Sequence, residues 1–164
     1  MRIKNELLDY LKNAKKLMEQ ADLSQDVDIN SFQQQIQSQQ LIIPIVGGFS
    51  AGKSSLINSF LGDDILPTAI TPETALATEL HYSDTAYIEA YRTEENFEKF
   101  SISELNLIKD NAQNYSFLKI YLPSEKLKAI QPLILVDMPG FDSPINTHNE
   151  AILNYLKKGT YFIF

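Results

Sequence analysis

Apolar residues recur at helical spacing along the N-terminal segment. Ile3, Leu7, Tyr10, Leu11, Ala14, Leu17, Met18 and Ala21 share one face, which predicts an amphipathic helix from about Ile3 to Gln20. Asp22 to Asp28 forms an acidic break, and Asn30 is placed to cap a second helix carrying Phe32 and Ile36. Six glutamines between Gln33 and Gln40 supply a polar face for that helix, too short a tract for prion-like behaviour. From Leu41 the pattern changes. Leu41 to Val46 is a continuous apolar run of buried-strand type, and Leu56, Ile57, Phe60 and Leu61 return to helical spacing. Ala77 to Tyr82 and Ala86 to Arg92 are β-rich runs separated by Ser83-Asp84-Thr85 and read as a hairpin. Ser103 to Ala112 reads as a short helix in an acidic, polar insertion with no recognisable chemistry. Further strands are expected at Phe117 to Leu122 and Leu133 to Val136, then a helix over His148 to Lys158, started near Asn146 or Thr147 and stopped at Gly159. Thr160 to Phe164 reads as another core strand cut off at its end. Strands alternating with helices give an α/β class, preceded by a helical segment over residues 1–40.

Composition narrows the function. Hydrophobic residues make up 44% of the 164, enough for a core, and the absence of cysteine removes disulfide and thiol chemistry. No apolar run reaches the roughly 18 residues of a membrane span, and there is no signal-peptide core, so a cytoplasmic protein, or one peripheral to a membrane, is expected. Fourteen Lys and Arg against 21 Asp and Glu give a net charge of −7, which argues against a nucleic-acid binder. Arg2, Lys4, Lys12, Lys15 and Lys16 give the first helix some membrane-surface character, but Glu6, Asp9 and Glu19 interleave with them, as on an ordinary solvated face. His81 and His148 lack partners at zinc-binding spacing.

The chemistry lies where the first apolar strand ends. Gly47-Gly48-Phe49-Ser50-Ala51-Gly52-Lys53-Ser54-Ser55 fits G-x-x-x-x-G-K-[ST], between a strand and a helix. Glycines let successive N–H groups turn inward onto phosphate oxygens, Lys53 adds a cation, and Ser54 offers a hydroxyl to Mg2+. A helix starting near Gly52 adds its positive end. The pattern denotes a nucleoside triphosphate site. Leu133 to Val136 leads into Asp137-Met138-Pro139-Gly140, where an aspartate at a strand end can hold Mg2+ through water and a glycine N–H can approach a γ-phosphate. Alone, that tetrapeptide is a common turn; paired with the phosphate loop it reads as a γ-phosphate sensor.

The run from Ile45 to Leu80, which includes Leu66-Pro67-Thr68-Ala69-Ile70-Thr71-Pro72-Glu73-Thr74, resembles the N-terminal part of a dynamin-superfamily GTPase domain, particularly its bacterial dynamin-like branch. Lys119 to Leu127 and Leu133 to Ser143 follow that family's order, so the resemblance covers about residues 41 to 164. It implies a P-loop sheet with flanking helices, GTP as substrate, Mg2+ as cofactor, and self-association through the GTPase domain. It also implies contact with membrane lipid through regions outside these residues, and places the first 40 residues in a helical bundle. Thr74 matches the switch threonine that reaches Mg2+ and helps place the attacking water, with Thr71 as the competing candidate. Ser50 matches the serine used near the β,γ-bridging oxygen and a monovalent cation, K+ or Na+. Phe49 departs from the glutamine of eukaryotic dynamins, although bacterial relatives often carry an aromatic there.

No [NT]-K-x-D element for guanine recognition occurs, so these residues read as a GTPase domain truncated before that motif, expected to grip phosphates with little preference between GTP and ATP. Two rivals remain: an ATP-using P-loop enzyme, and a nucleotide-dependent scaffold without turnover.

Overall fold

The computed structural model describes residues 2–21, 28–68, 76–140, 152–155, 157–159 and 161–164, and the chain divides into two compact units, Met1–Gln40 and Leu41–Phe164. In the first unit, α1 (Arg2–Gln20) follows the predicted stripe and α2 (Ile29–Ser38) packs beside it. Lys15 Nζ donates to Asn30 Oδ1 at 2.9 Å and Lys4 Nζ to the Gln37 carbonyl at 2.8 Å. Asp28, not Asn30, caps α2: its carboxylate accepts the Ser31 N–H at 3.1 Å, while Asn30 lies inside the first turn with its amide engaged by Lys15. Leu7, Tyr10 and Leu17 of α1 and Phe32 of α2 are exposed.

The second unit is built on a six-stranded mixed sheet. In chain order its strands are β1 (Leu41–Ile45), β2 (Ala77–Tyr82), β3 (Tyr87–Thr93), β4 (Asn96–Phe100), β5 (Phe117–Leu122) and β6 (Leu133–Asp137). Their order in the sheet is β1-β6-β2-β5-β3-β4. β1 pairs with β6 in parallel, Ile45 opposite Asp137, and β2 with β5 in parallel; β6 with β2, β5 with β3, and β3 with β4 are antiparallel. Helices α3 (Lys53–Leu61), α4 (Leu105–Asp110) and α5 (Glu125–Ile130) contribute to one core, where Ile57, Leu61, Leu105, Ile108 and Leu127 meet Leu80, Ile88, Leu118 and Ile120. On the other face Ile152 and Tyr155, from the helical residues 152–155, pack with Val46, Ala77, Val136 and Met138. The strict alternation of β5, with Leu118, Ile120 and Leu122 buried in the first core and the residues between them only half-buried, shows that the strand packs more closely on that face.

Several expectations need correction. β2 and β3 do not form a hairpin: β5 lies between them, and the Ser83 N–H bonds to the Leu122 carbonyl at 3.0 Å. Ser83-Asp84-Thr85 lacks the Gly or Asn that a tight hairpin turn requires, and β2, buried over its first five residues, needs a strand on each side. The hairpin is instead β3–β4, closed at Glu94-Glu95. β4 and α5 were not foreseen. The helix expected at 103–112 is a 3-10 turn, Ile102–Glu104, followed by α4. The C-terminal strand is a single parallel bridge, Ile45 to Ile163, with Tyr161 and Phe164 exposed. The expected starts of the last helix, Asn146 and Thr147, lie outside the described residues, as does His148.

A polar network crosses the second core. Glu79, 7% exposed on β2, accepts from His81 Nε2 and from the Tyr155 hydroxyl, both at 2.8 Å, with Lys119 Nζ at 3.8 Å. Burial would raise the Glu79 carboxyl, but the two hydrogen bonds and the Lys119 charge outweigh it and hold its pKa below the ordinary 4.5. A carboxylate depressed on folding adds stability that is fully present above its unfolded pKa and is lost as pH falls through the folded value. Glu79→Gln is therefore expected to cost about 1–3 kcal/mol at neutral pH, with the difference from the parent shrinking as pH drops below about 4. Urea unfolding of both proteins across that range checks it; a difference independent of pH would show that the charge on Glu79 is not what the network stabilises.

Candidate functional site

The parallel pairing of β1 with β6 delivers the phosphate-loop motif and the aspartate motif to the same end of the sheet, with Ile45 and Asp137 directly opposite. Beyond Ile45 the chain turns through Gly47 to Gly52 into α3. Gly52 caps α3 in the left-handed region, φ 85°, and Ser50 shares that region at φ 56°, a conformation that costs a non-glycine residue about 1–2 kcal/mol. Such strain is characteristic of a loop shaped for a ligand. Lys53 Nζ donates to the Gly47 and Gly48 carbonyls at 3.2 and 2.7 Å, folding its cation back over the loop.

Ser54 Oγ donates to Asp137 Oδ2 at 2.6 Å, joining the two motifs across 83 positions of sequence. The other oxygen, Asp137 Oδ1, is buried and has no hydrogen-bond partner among the described residues. Burial raises the Asp137 carboxyl above its ordinary pKa, against the opposing effects of Ser54, Lys109 and Lys53. A hydroxyl beside an orphaned carboxylate oxygen is a donor set suited to a hard divalent cation, whose ligands are oxygens.

The cleft of about 140 Å3 between these motifs is lined by residues 49–55, Thr68, Leu76, Lys109 and residues 137–140. That is smaller than the roughly 300–1,000 Å3 of a pocket enclosing a whole organic ligand, and it suits the phosphate end of a nucleotide. Of the residues singled out in the sequence, Phe49, Ser50, Ala51, Gly52, Lys53, Ser54, Ser55, Asp137 and Gly140 line the cleft, and Gly47 stands behind it, against Ala51 and Lys53. Thr74 and Thr71 lie outside the described residues.

Two features were not foreseen. Asn58 of α3 is buried and clamps the following loop, its amide donating to the Leu66 carbonyl at 2.7 Å and its oxygen accepting the Leu66 N–H at 2.9 Å. This fixes the chain leading to Thr68. Lys109 of α4 is only 6% exposed and lines the cleft; burial pushes its ammonium down to about 8, with the Asp137 charge opposing. The signal was present, since Leu105, Ile108, Lys109 and Ala112 occupy the i, i+3, i+4, i+7 positions of one helical face.

Comparison with known proteins follows the same lines. The family model described as Dynamin family matches residues 43–164. Dynamin-like protein 2 of Campylobacter jejuni is 31% identical over 104 residues, 63% of this chain and 17% of that protein. Transmembrane GTPase Marf of Drosophila melanogaster is 27% identical over 133 residues, 78% of this chain and 16% of its own. Among solved structures, a chain of an oligomerised bacterial dynamin pair, described as providing a mechanism for long range sensing and tethering of membranes, superposes with a TM-score of 0.71 at 18% identity. The match covers 98% of this chain and 32% of that one. The present chain thus spans well under half the length of these relatives.

The contact between the two motifs has a consequence at Gly140. A Cβ built there would stand 2.7 Å from both the Cα and the N of Phe49. These are backbone atoms, so no rotamer change can relieve the clash. Gly140→Ala is expected to destabilise the protein by about 1–3 kcal/mol, whereas Gly47→Ala, whose added carbon meets nothing closer than 3.5 Å, is expected to cost under about 1 kcal/mol. Denaturant unfolding of the two variants checks this; equal costs would mean that the phosphate loop moves freely away from Gly140.

Proposed function

We propose that this chain, which belongs to the dynamin family, binds GTP at the cleft between its phosphate loop and Asp137 and, in the full-length protein, hydrolyses it to GDP and phosphate. The observation that carries the proposal is the Ser54–Asp137 hydrogen bond beside the orphaned Asp137 Oδ1, set at the mouth of a strained phosphate loop. Ser54 and Asp137, with Thr74 from the switch segment, would hold Mg2+, which when bound supplies positive charge against the phosphates. Backbone N–H groups from Phe49 to Ser55 bind the phosphates, and Lys53 moves its cation from the loop carbonyls to the β- and γ-phosphates. Gly47 lets the loop begin its turn, and the Gly140 N–H meets the γ-phosphate.

Phosphoryl transfer needs a positioned water and compensated charge more than a covalent group. Phe49 has no side chain able to orient water, so the main chains of Thr74 and Gly140 take that role. Ser50 would help hold K+ or Na+, whose charge would be offset against the phosphates once two GTPase domains meet. Self-association, a guanine-reading element in further sequence, and peripheral attachment to membrane lipid belong to the same reading. The dynamin pair with this fold is described as tethering membranes, and among the described residues no helix is long and apolar enough to cross one. The exposed Leu7, Tyr10, Leu17 and Phe32 suit residues 1–40 to a role in a helical bundle.

GTP affinity and phosphate release, measured in parallel on the full-length protein, test the proposal. Lys53→Ala is expected to weaken GTP binding by about 100-fold, and Thr74→Ala to retain binding and lose turnover. The rate per molecule should rise with protein concentration and be higher in K+ than in Li+. Loss of release in Thr71→Ala but not Thr74→Ala would reassign the switch residue. Binding without turnover in every condition would favour a nucleotide-dependent scaffold, and preference for ATP a different P-loop enzyme.

A further inference from the structure

We propose that Lys109 is a second phosphate-binding cation of this site, reaching the terminal phosphate of a bound nucleoside triphosphate from α4, an element outside both sequence motifs. The inference rests on the nucleotide-binding reading above and adds to it a residue and a selectivity.

Lysine is almost never fully buried unless something pairs with it, yet Lys109 is 6% exposed. Leu105 and Ile108, both buried on the same helical face, anchor α4 in the core and so fix where the Lys109 stem begins. The side chain lines the cleft together with the phosphate loop and residues 137–140. It makes no hydrogen bond among the described residues, and the one charged group acting on it is Asp137, whose Oδ2 is already taken by Ser54. Three N–H donors on an ammonium that opens, from an otherwise buried side chain, into a cleft whose one carboxylate is partly engaged call for an anion with several acceptor oxygens. A phosphate supplies them.

Charge points the same way. The charged side chains lining the described cleft are Lys53, Lys109 and Asp137. With Lys53 folded over the phosphate loop and Asp137 adding negative charge where Mg2+ would bind, Lys109 is the cation on the sensor side, next to the Asp137–Gly140 segment read as facing the γ-phosphate. On that placement Lys109 would meet the terminal phosphate, the group that a diphosphate lacks. Lys109 therefore lets the site distinguish triphosphate from diphosphate, and it ties α4 to the nucleotide state.

Calorimetric titration of the full-length protein with Mg2+ and either GDP or a non-hydrolysable GTP analogue tests this. Lys109→Met removes the charge but keeps the packing of the stem; Lys109→Arg keeps the charge; Lys109→Gln serves should the methionine variant aggregate. The Met and Gln variants are expected to bind the triphosphate analogue about 10- to 100-fold more weakly, with GDP affinity changed less than about threefold, and Arg to recover most of the loss. Unchanged triphosphate affinity, or a parallel fall for both nucleotides, would overturn the inference and leave Lys109 as a counter-charge for Asp137. A parent protein that binds neither nucleotide would overturn the nucleotide-binding reading itself, and this inference with it.

Discussion

Parallel pairing of β1 with β6, in the register that sets Ile45 against Asp137, is the constraint from which the site follows. Two segments nearly a hundred residues apart in sequence leave the sheet side by side because their strands run in the same direction and end at the same level. The Ser54–Asp137 hydrogen bond at 2.6 Å can form only in this register. A slip of one residue would turn every side chain of β6 to the opposite face, taking Val136 out of its core and the carboxylate away from the loop. The hydrophobic cores on the two faces of the sheet therefore hold the polar site in alignment, although few of their side chains touch it.

Three buried ionisable groups show two ways of keeping charge inside. Glu79 is satisfied by His81, Tyr155 and Lys119, and its surroundings favour the ionised form. Asp137 and Lys109 are each disfavoured in their charged forms by burial, offset only in part by Ser54, Lys109 and Lys53 at Asp137 and by Asp137 at Lys109. The first arrangement is a structural joint between β2 and the helical residues 152–155. The second is a pair of incompletely satisfied groups around a cleft, where a ligand's charge can complete what the protein leaves open.

Much of the architecture was legible because local patterns were strong. The stripe of α1, the continuous apolar runs of β1 and β6, the alternation of β5 and the glycine spacing of the phosphate loop each carry their structure within a few residues. Reading failed where the answer depends on distant partners. Nothing in Ser83 to Thr85 announces that β5, more than thirty residues on, inserts between the neighbouring strands. β4 escaped notice because four of its five residues are exposed, so no buried face marks it. Lys109 was passed over for a different reason: a lysine next to Ile108 looks like a solvated position until the face it shares with Leu105 and Ala112 is considered. The switch threonines were singled out by their place in a motif, which no local pattern replaces.

Pro44 gives β1 two unlike edges. Its carbonyl accepts the Ile163 N–H at 3.1 Å, and the Val46 N–H donates to the Ile163 carbonyl at 2.8 Å, so positions 44 and 46 face outward, away from β6. At 44 there is no N–H to offer. The ladder with β6 loses nothing, because the missing donor lies on the other side. A foreign strand approaching the outer edge would find a ring methylene where register requires an N–H donor, and could not zip along it. In a crowded solution of partly folded chains the imino acid thus acts as a colloidal safeguard, discouraging runaway edge-to-edge aggregation while leaving room for the chain's own short bridge at Ile163.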